Sequence, residues 1–486
     1  MSSTHLSRNI IYNLVGTLAP IGIMILTVPI YLRAIGPARF GVMSLIWLLF
    51  GYFGLFDFGL SRATANRLAQ MRGEPASVRA PVFYTSLLVN AGIGLALGIL
   101  FWLIARPLIM HLSPGVGVIR SELPEALSWF SGLFPLALVG NVFIGTLEAD
   151  ERFLNVNIQQ LIGTIGLQLL PLAAVKLLGV DLQNAAIGAC LARGLSVLWS
   201  GVAAVGDFRG VKPSIDLSIS KSLLRYGGWV AVTNAVSPVL ESVDQFVIGA
   251  LLGPAAIGQY SVPYSVATKI LILPAALSRA MFPRLSGLGR EQADILANRA
   301  FKLLAWAMTL GCAPAILAAP FAFRIWLGPN LGIECAPIAQ ILLVGLWVNG
   351  MAFLPYTLLQ GQGRPDLVAK FHLVEVLPFL CLLWVGIKTA GLPGAAAAWS
   401  FRVTLDFILL FAGVGTLKTS LRELVPMAAM MFLSGIASAG VQARPVLGLI
   451  LAVVDVPIIC LLCVAVDTHI RREALAIASR LVGRPA

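Results

Sequence analysis

The 486-residue chain is 58% hydrophobic and only 12% charged, with 34 Lys and Arg against 22 Asp and Glu and a formal net charge of +12. Soluble domains carry about 25% charged residues, so this composition excludes an aqueous fold. The basic residues are spread through short segments, with no lysine-rich tail or aromatic-interleaved patch, which argues against nucleic acid as a partner and for a membrane protein oriented by its loop charges.

Apolar runs of about 18 to 25 residues, the length a helix needs to cross a hydrocarbon core of about 30 Å, recur along the chain. They fall at 10–32, 40–58, 81–104, 129–147, 156–178, 183–205, 226–252, 256–277, 300–323, 337–359, 367–387, 394–415, 424–441 and 446–466. The fold class this predicts is an all-α polytopic membrane protein of about fourteen transmembrane helices. The first run follows Arg8 with no small-x-small cleavage site, so it is read as a span and not as a signal peptide. An even number of spans places both termini on one side. That side carries about 23 of the 34 basic residues and the opposite side about 8, so both termini are expected in the cytoplasm.

The chain also repeats itself. Gly36-Pro37-Ala38-Arg39-Phe40-Gly41 follows the first span and Gly253-Pro254-Ala255-Ala256-Ile257-Gly258 follows the seventh. Both read G-P-A-x-x-G, and both should make a tight external turn, since proline and glycine continue a helix poorly. The fourth and tenth spans each end in a short polar turn, Glu148 to Arg152 and Gln360 to Arg364. The sixth and twelfth carry Arg193 and Arg402 in the same A-x-x-A-x-x-x-R setting, with Ala186 and Ala189 in one and Ala395 and Ala398 in the other. Two six-helix bundles of parallel topology are therefore expected, 1–210 and 211–418, with two further helices and a cytoplasmic tail in 419–486.

Ionisable groups inside spans are costly, about 2.5 to 3.5 kcal/mol near a helix centre, and usually face a cavity or a partner. The candidates are Asp57, Arg193, Glu241, Asp244, Lys269, Glu375, Arg402, Asp406 and Asp455. Arg193 has no carboxylate four residues away on its own helix, so it needs a partner helix, water or an anionic ligand; a guanidinium suits a diphosphate by its paired donors. Lys269 also lacks an acidic neighbour at helical spacing. Arg402 has Asp406 one turn away, which could neutralise it. Glu241 and Asp244 share a helix face and could take up a proton or Na⁺, or pair with Arg193 or Lys269. Asp57 lies near a cytoplasmic helix end, where capping or a pair with Arg62 competes with a transport role. Cys460 and Cys463 have C-x-x-C spacing, but inside an apolar run packing is the better reading than a metal or redox site. No cofactor is expected.

Asn13, Pro29, Arg33, the Gly36–Gly41 turn and Asp57-Phe58-Gly59-Leu60 resemble the opening of Wzx-type polysaccharide flippases. Asp244, the stretch from Gly253 to Tyr260, and Phe282-Pro283 resemble that family's seventh and eighth spans. The resemblance implies membership of the superfamily that also holds multidrug exporters and lipid II flippases, with two helical bundles in a V, alternating access, and a final helix pair helping to form a groove for a lipid tail. It implies a secondary transporter of the bacterial inner membrane that flips a polyprenyl-diphosphate-linked oligosaccharide to the periplasmic leaflet for cell-surface polysaccharide. Substrate binding is then expected at Arg193, Lys269, Arg402 and Asn13, and coupling to H⁺ or Na⁺ at Glu241, Asp244 and Asp57. The alternatives are a lipid II flippase and a cation-coupled multidrug exporter. No G-x-x-x-x-G-K-S/T loop occurs, which argues against an ATP-driven pump. A membrane glycan polymerase or ligase would need a larger external loop than the one expected at about 105–128, which holds His111, Glu122 and Glu125 but leaves little room for a site.

Overall fold

A computed structural model describes residues 3–51, 60–112, 117–216, 242–287, 290–362, 364–467 and 471. Among these residues every regular element is helical: α1 Ser3–Gly51, α2 Leu60–Gln70, α3 Ala76–Leu112, α4 Gly117–Ala149, α5 Phe153–Leu178, α6 Leu182–Val205, α7 Ser242–Leu252, α8 Pro254–Ala267, α9 Ile272–Gly287, α10 Arg290–Leu327, α11 Pro329–Gly361, α12 Pro365–Val414, α13 Leu417–Val441 and α14 Pro445–Val466. Eleven of the described helical stretches are long and apolar enough to cross a membrane. Two of them, α1 and α12, are broken at Gly36 (φ 79°) and Gly391 (φ 63°), and each holds two of the predicted spans. Positive φ is open to glycine at little cost, so the chain reverses there without a loop. The connection expected at 105–128 is shorter than predicted, because α3 runs on to Leu112 and α4 starts at Gly117.

The helices start where local chemistry lets them. Asp181 caps α6 by accepting the N–H of Gln183 at 2.8 Å, and Pro329, Pro365 and Pro445 open α11, α12 and α14, where a missing N–H costs no intrahelical bond. Large apolar side chains stand exposed in rows, among them Leu95, Ile99 and Leu103 on α3 and Val446, Ile450, Val453 and Leu461 on α14. Such rows belong against lipid, not water.

The chain divides into two compact units, Met1–Gly258 and Gln259–Ala486. In the first, α4 is the buried centre, packed by α2, α3 and α6, while α5 packs on α6 and α1 on α5. Glycine permits the close approaches: a Cβ on Gly94 would lie 2.5 Å from Cα of Pro135, and one on Gly188 2.4 Å from Cα of Pro171. The two G-P-A-x-x-G hexamers pack on each other reciprocally within this unit. A Cβ on Gly41 would meet the carbonyl oxygen of Pro254 at 1.8 Å, and one on Gly258 would meet that of Pro37 at 2.6 Å. In the second unit α10 and α11 form the buried centre. α12 lies on α11, and α13 and α14 lie on α10. Gln340, bonded to the carbonyl of Ile316 and to Gln442, ties α11 to α10 and to the end of α13.

The repeat is visible in hydrogen bonds as well. The N–H of Arg152 donates to the carbonyl of Leu147 at 2.8 Å, and that of Arg364 to the carbonyl of Leu359 at 2.9 Å. The same two arginines then cap a helix end through their side chains, Arg152 on the carbonyl of Ala203 at 2.9 Å and Arg364 on that of Gly413 at 3.3 Å. A cation at a helix C-terminus satisfies orphan carbonyls and complements the helix dipole.

Candidate functional site

The charged groups inside the spans fall into three settings. Arg193, on α6 beside Gly140 of α4, is half-buried, and no hydrogen bond or ion pair reaches its guanidinium among the described residues. Three residues along its own helix, Ser196 accepts from Gln159 of α5 at 2.7 Å. The structure thus leaves a permanent cation without a protein anion inside an apolar helix layer, the arrangement that an anionic ligand would complete.

Lys269 is exposed and also has no ion pair among the described residues. It sits in a short 3₁₀ stretch, Thr268–Leu271, between α8 and α9. A 3₁₀ turn inside a long helix carries poorer hydrogen-bond geometry and often marks a hinge.

Arg402 belongs to a denser group. The break at Gly391 folds α12 into two antiparallel arms, so residues equally distant from the break face each other. That register sets Asp406, 15 residues past the break, near the level of Glu375, 16 before it, with Arg402 and His372 each about one turn away. Arg402 Nη1 lies 3.9 Å from Glu375 Oε2, His372 Nε2 lies 3.6 Å from Asp406 Oδ1, and the Arg402 guanidinium stands 5.6 Å over the Phe379 ring. Arg402 therefore has Glu375 of the opposite arm as a neighbour besides Asp406, the partner expected one turn along its own helix. His372 escaped the sequence reading. The signal that would have found it is the register about Gly391, which sets position 406 level with 376, beside Glu375 and one turn from His372.

Of the remaining expected site residues, Asp244 is fully buried near the start of α7, where its Oδ1 accepts the N–H of Gln245 at 2.8 Å. Asp57 and Glu241 lie outside the described residues, and the side chain of Asn13 does as well. Asp455 is buried between α13 and α14 and accepts from Ser434 at 3.3 Å, a polar contact that fastens the last helix pair. Glu122, expected in a loop, stands in the first turns of α4, where Arg39 donates to both its oxygens and the N–H of Leu182 donates at 3.0 Å; it joins α1, α4 and α6.

Long apolar helices in two compact units, with ionisable groups held inside the spans, are the make-up of a polytopic membrane protein that handles polar or charged groups within the bilayer. Its fold is similar to that of the lipid II flippase MurJ in an inward closed conformation, with 15% identity and a TM-score of 0.75 over 98% of this chain and 100% of that one. It is also similar to an inward-facing multidrug transporter of the same superfamily, with 14% identity and a TM-score of 0.66 over 86% of this chain and 98% of that one. The chain belongs to the polysaccharide biosynthesis protein family, whose sequence profile matches residues 6–288. A putative O-antigen transporter of Shigella flexneri is 32% identical over 414 residues, 83% of this chain and 96% of that protein.

Proposed function

We propose that this protein is a secondary transporter that flips a polyprenyl-diphosphate-linked oligosaccharide from the cytoplasmic to the periplasmic leaflet of a bacterial inner membrane, with both termini in the cytoplasm. The observation that carries the proposal is the 32% identity to the putative O-antigen transporter of Shigella flexneri across 96% of that protein. The charge pattern supports it. Arg193 and Lys269 stand without carboxylate partners among the described residues, which suits an anionic head group and not the cationic compounds a drug exporter favours.

In this reading the chain carries two six-helix halves, 1–210 and 211–418, each with cationic groups inside its spans. The cationic groups hold the diphosphate and sugars while the polyprenyl chain stays in lipid beside the helices of 419–486. A cation taken up by buried carboxyls drives the return, with Asp57, Glu241 and Asp244 as candidates beside any site in the second half. Asn13 and Arg402 are further substrate contacts.

The test is translocation of a fluorescent polyprenyl-diphosphate glycan in proteoliposomes. Wild type is expected to flip it, and Arg193→Ala and Lys269→Ala to lower the rate at least tenfold while reconstituting to equal amounts. Unchanged rates in both variants would remove these two residues from the site. Transport of lipid II or of a cationic dye in place of the glycan would replace the substrate class.

A further inference from the structure

We infer that one face of α5, carried by Asn157, Gln160 and Thr164, is a sugar-binding track that contacts the glycan of the transported lipid. The inference rests on the transport reading above and adds to it the residues that contact the sugars. Three observations meet on this face.

The first is exposure. Between Asn155 and Gln168 the exposed residues of α5 are Asn157, Gln160 and Thr164, all neutral and polar. Spaced three and four apart, they fall on one stripe of the helix, and Gln168 continues it a turn further on. Other spans of the same unit expose a different surface: Leu95, Ile99 and Leu103 stand out on α3, and Leu191, Leu195, Leu198 and Val202 on α6. Those faces suit lipid. A row of amides and a hydroxyl does not, because hydrocarbon offers no hydrogen-bond partner, so this face belongs against water or a polar ligand. Lipid is left to Leu169, which stands exposed about two-fifths of a turn round from Thr164.

The second is free hydrogen-bonding capacity. No described residue bonds the side-chain amides of Asn157 and Gln160. Thr164 donates its hydroxyl hydrogen to the carbonyl of Gln160 at 2.8 Å, which leaves the hydroxyl oxygen to accept. Gln168 is steadied by α1, whose Thr27 donates to its Oε1 at 3.0 Å, so its amide hydrogens remain to be given. Side-chain amides and hydroxyls both donate and accept, as sugar hydroxyls do, and the row carries no charge to select a phosphate or a cation.

The third is level. α5 and α6 pack closely and run in opposite directions. A Cβ on Gly163 would lie 3.2 Å from Oγ of Ser196, and one on Gly166 would lie 3.2 Å from Cβ of Ala192. Those two approaches bracket Arg193, so Thr164 and Arg193 sit at nearly the same depth. A diphosphate at Arg193 therefore starts its glycan level with Thr164, and the row from Asn157 to Gln168 offers about 16 Å of helix beside it.

Labelling and transport test the track together. In a background depleted of native cysteines, Asn157→Cys, Gln160→Cys and Thr164→Cys should each react with a water-soluble thiosulfonate, and Leu169→Cys should not. In proteoliposomes, the double variant Asn157→Leu/Gln160→Leu should slow a polyprenyl diphosphate carrying the whole oligosaccharide by about fivefold, the scale of one lost hydrogen bond. It should leave a polyprenyl diphosphate carrying a single sugar within about twofold of wild type, whereas Arg193→Ala should slow both lipids. Equal losses with both lipids in the double variant, or no loss with either, would overturn the sugar contact while leaving the transport reading in place. Labelling of the three cysteines only by a membrane-permeant reagent would overturn it in favour of a lipid face, and disulfide cross-linking of two copies through Gln160→Cys in favour of an interface between copies. A wild type that moves neither lipid would overturn the transport reading, and the track with it.

Discussion

Glu151 adopts a left-handed backbone conformation, φ 58°, alone among the described non-glycine residues. It follows α4 at the turn where Arg152 folds back on Leu147, a C-terminal position that glycine usually fills. A left-handed conformation costs a side-chain-bearing residue about 1 to 2 kcal/mol. The compensation is a pair with Arg72 at 2.6 Å, but both side chains are largely exposed, at 46% and 65%, and such pairs are worth about 0 to 1 kcal/mol. The backbone term wins. Glu151→Gly should therefore raise Tm by a few degrees in thermal unfolding of detergent-purified protein, and a fall would mean the Arg72 contact counts for more than its exposure allows. The repeat-equivalent residue in the sequence is Gly363, so the second half already carries the better turn residue. Residue-scale chemistry was unevenly legible. Arg193 could be singled out because its own helix offers no carboxylate, and the structure leaves it unpaired among the described residues. The partner of Arg402 could not be read the same way, because it comes from the opposite arm, and arm register depends on where Gly391 breaks the helix.

At the scale of elements, apolar length carried most of the reading. A run of about 20 apolar residues has few alternatives to a spanning helix, because each backbone polar group in lipid must be satisfied within the segment. What length does not show is how two spans join. Between the eleventh and twelfth predicted spans a loop is the default expectation, yet α12 passes through Gly391 with φ 63° and ψ −137° and no intervening coil. Only glycine adopts that conformation readily, and strain for another residue is about 1 to 3 kcal/mol. Gly391→Ala should lower Tm by several degrees. It should also disturb the facing of Glu375 and Asp406, because both arms are aimed by this one residue. Gly22→Ala is the control: it lies within helical α1, a Cβ there meets nothing within 4 Å, and stability should not suffer. Equal effects from both substitutions would mean that the break does not aim the arms.

For the whole molecule, the orientation proposed from loop charges makes a prediction that helix packing does not. In the proposed orientation the turn at Glu151 faces the cytoplasm, and there Arg72, Arg79 and Arg152 pair with Glu151, Asp150 and Asp207. Val180, exposed in the short connection between α5 and α6, then lies on the periplasmic side. α5 separates these two positions by a single membrane crossing, so they must label oppositely whichever way the protein inserts. The distribution of basic residues chooses between the two orientations, and about 23 against about 8 is too large an asymmetry to be reversed by moving any one span boundary. A cysteine replacing Val180, in a background depleted of native cysteines, should react with a membrane-impermeant maleimide in intact cells whose outer membrane has been opened. A cysteine replacing Glu151 should react only after the inner membrane is permeabilised. The reverse pattern would invert the topology. It would also put the head group's starting leaflet on the wrong side for export, so the same labelling experiment bears on the direction of transport as well as on the fold.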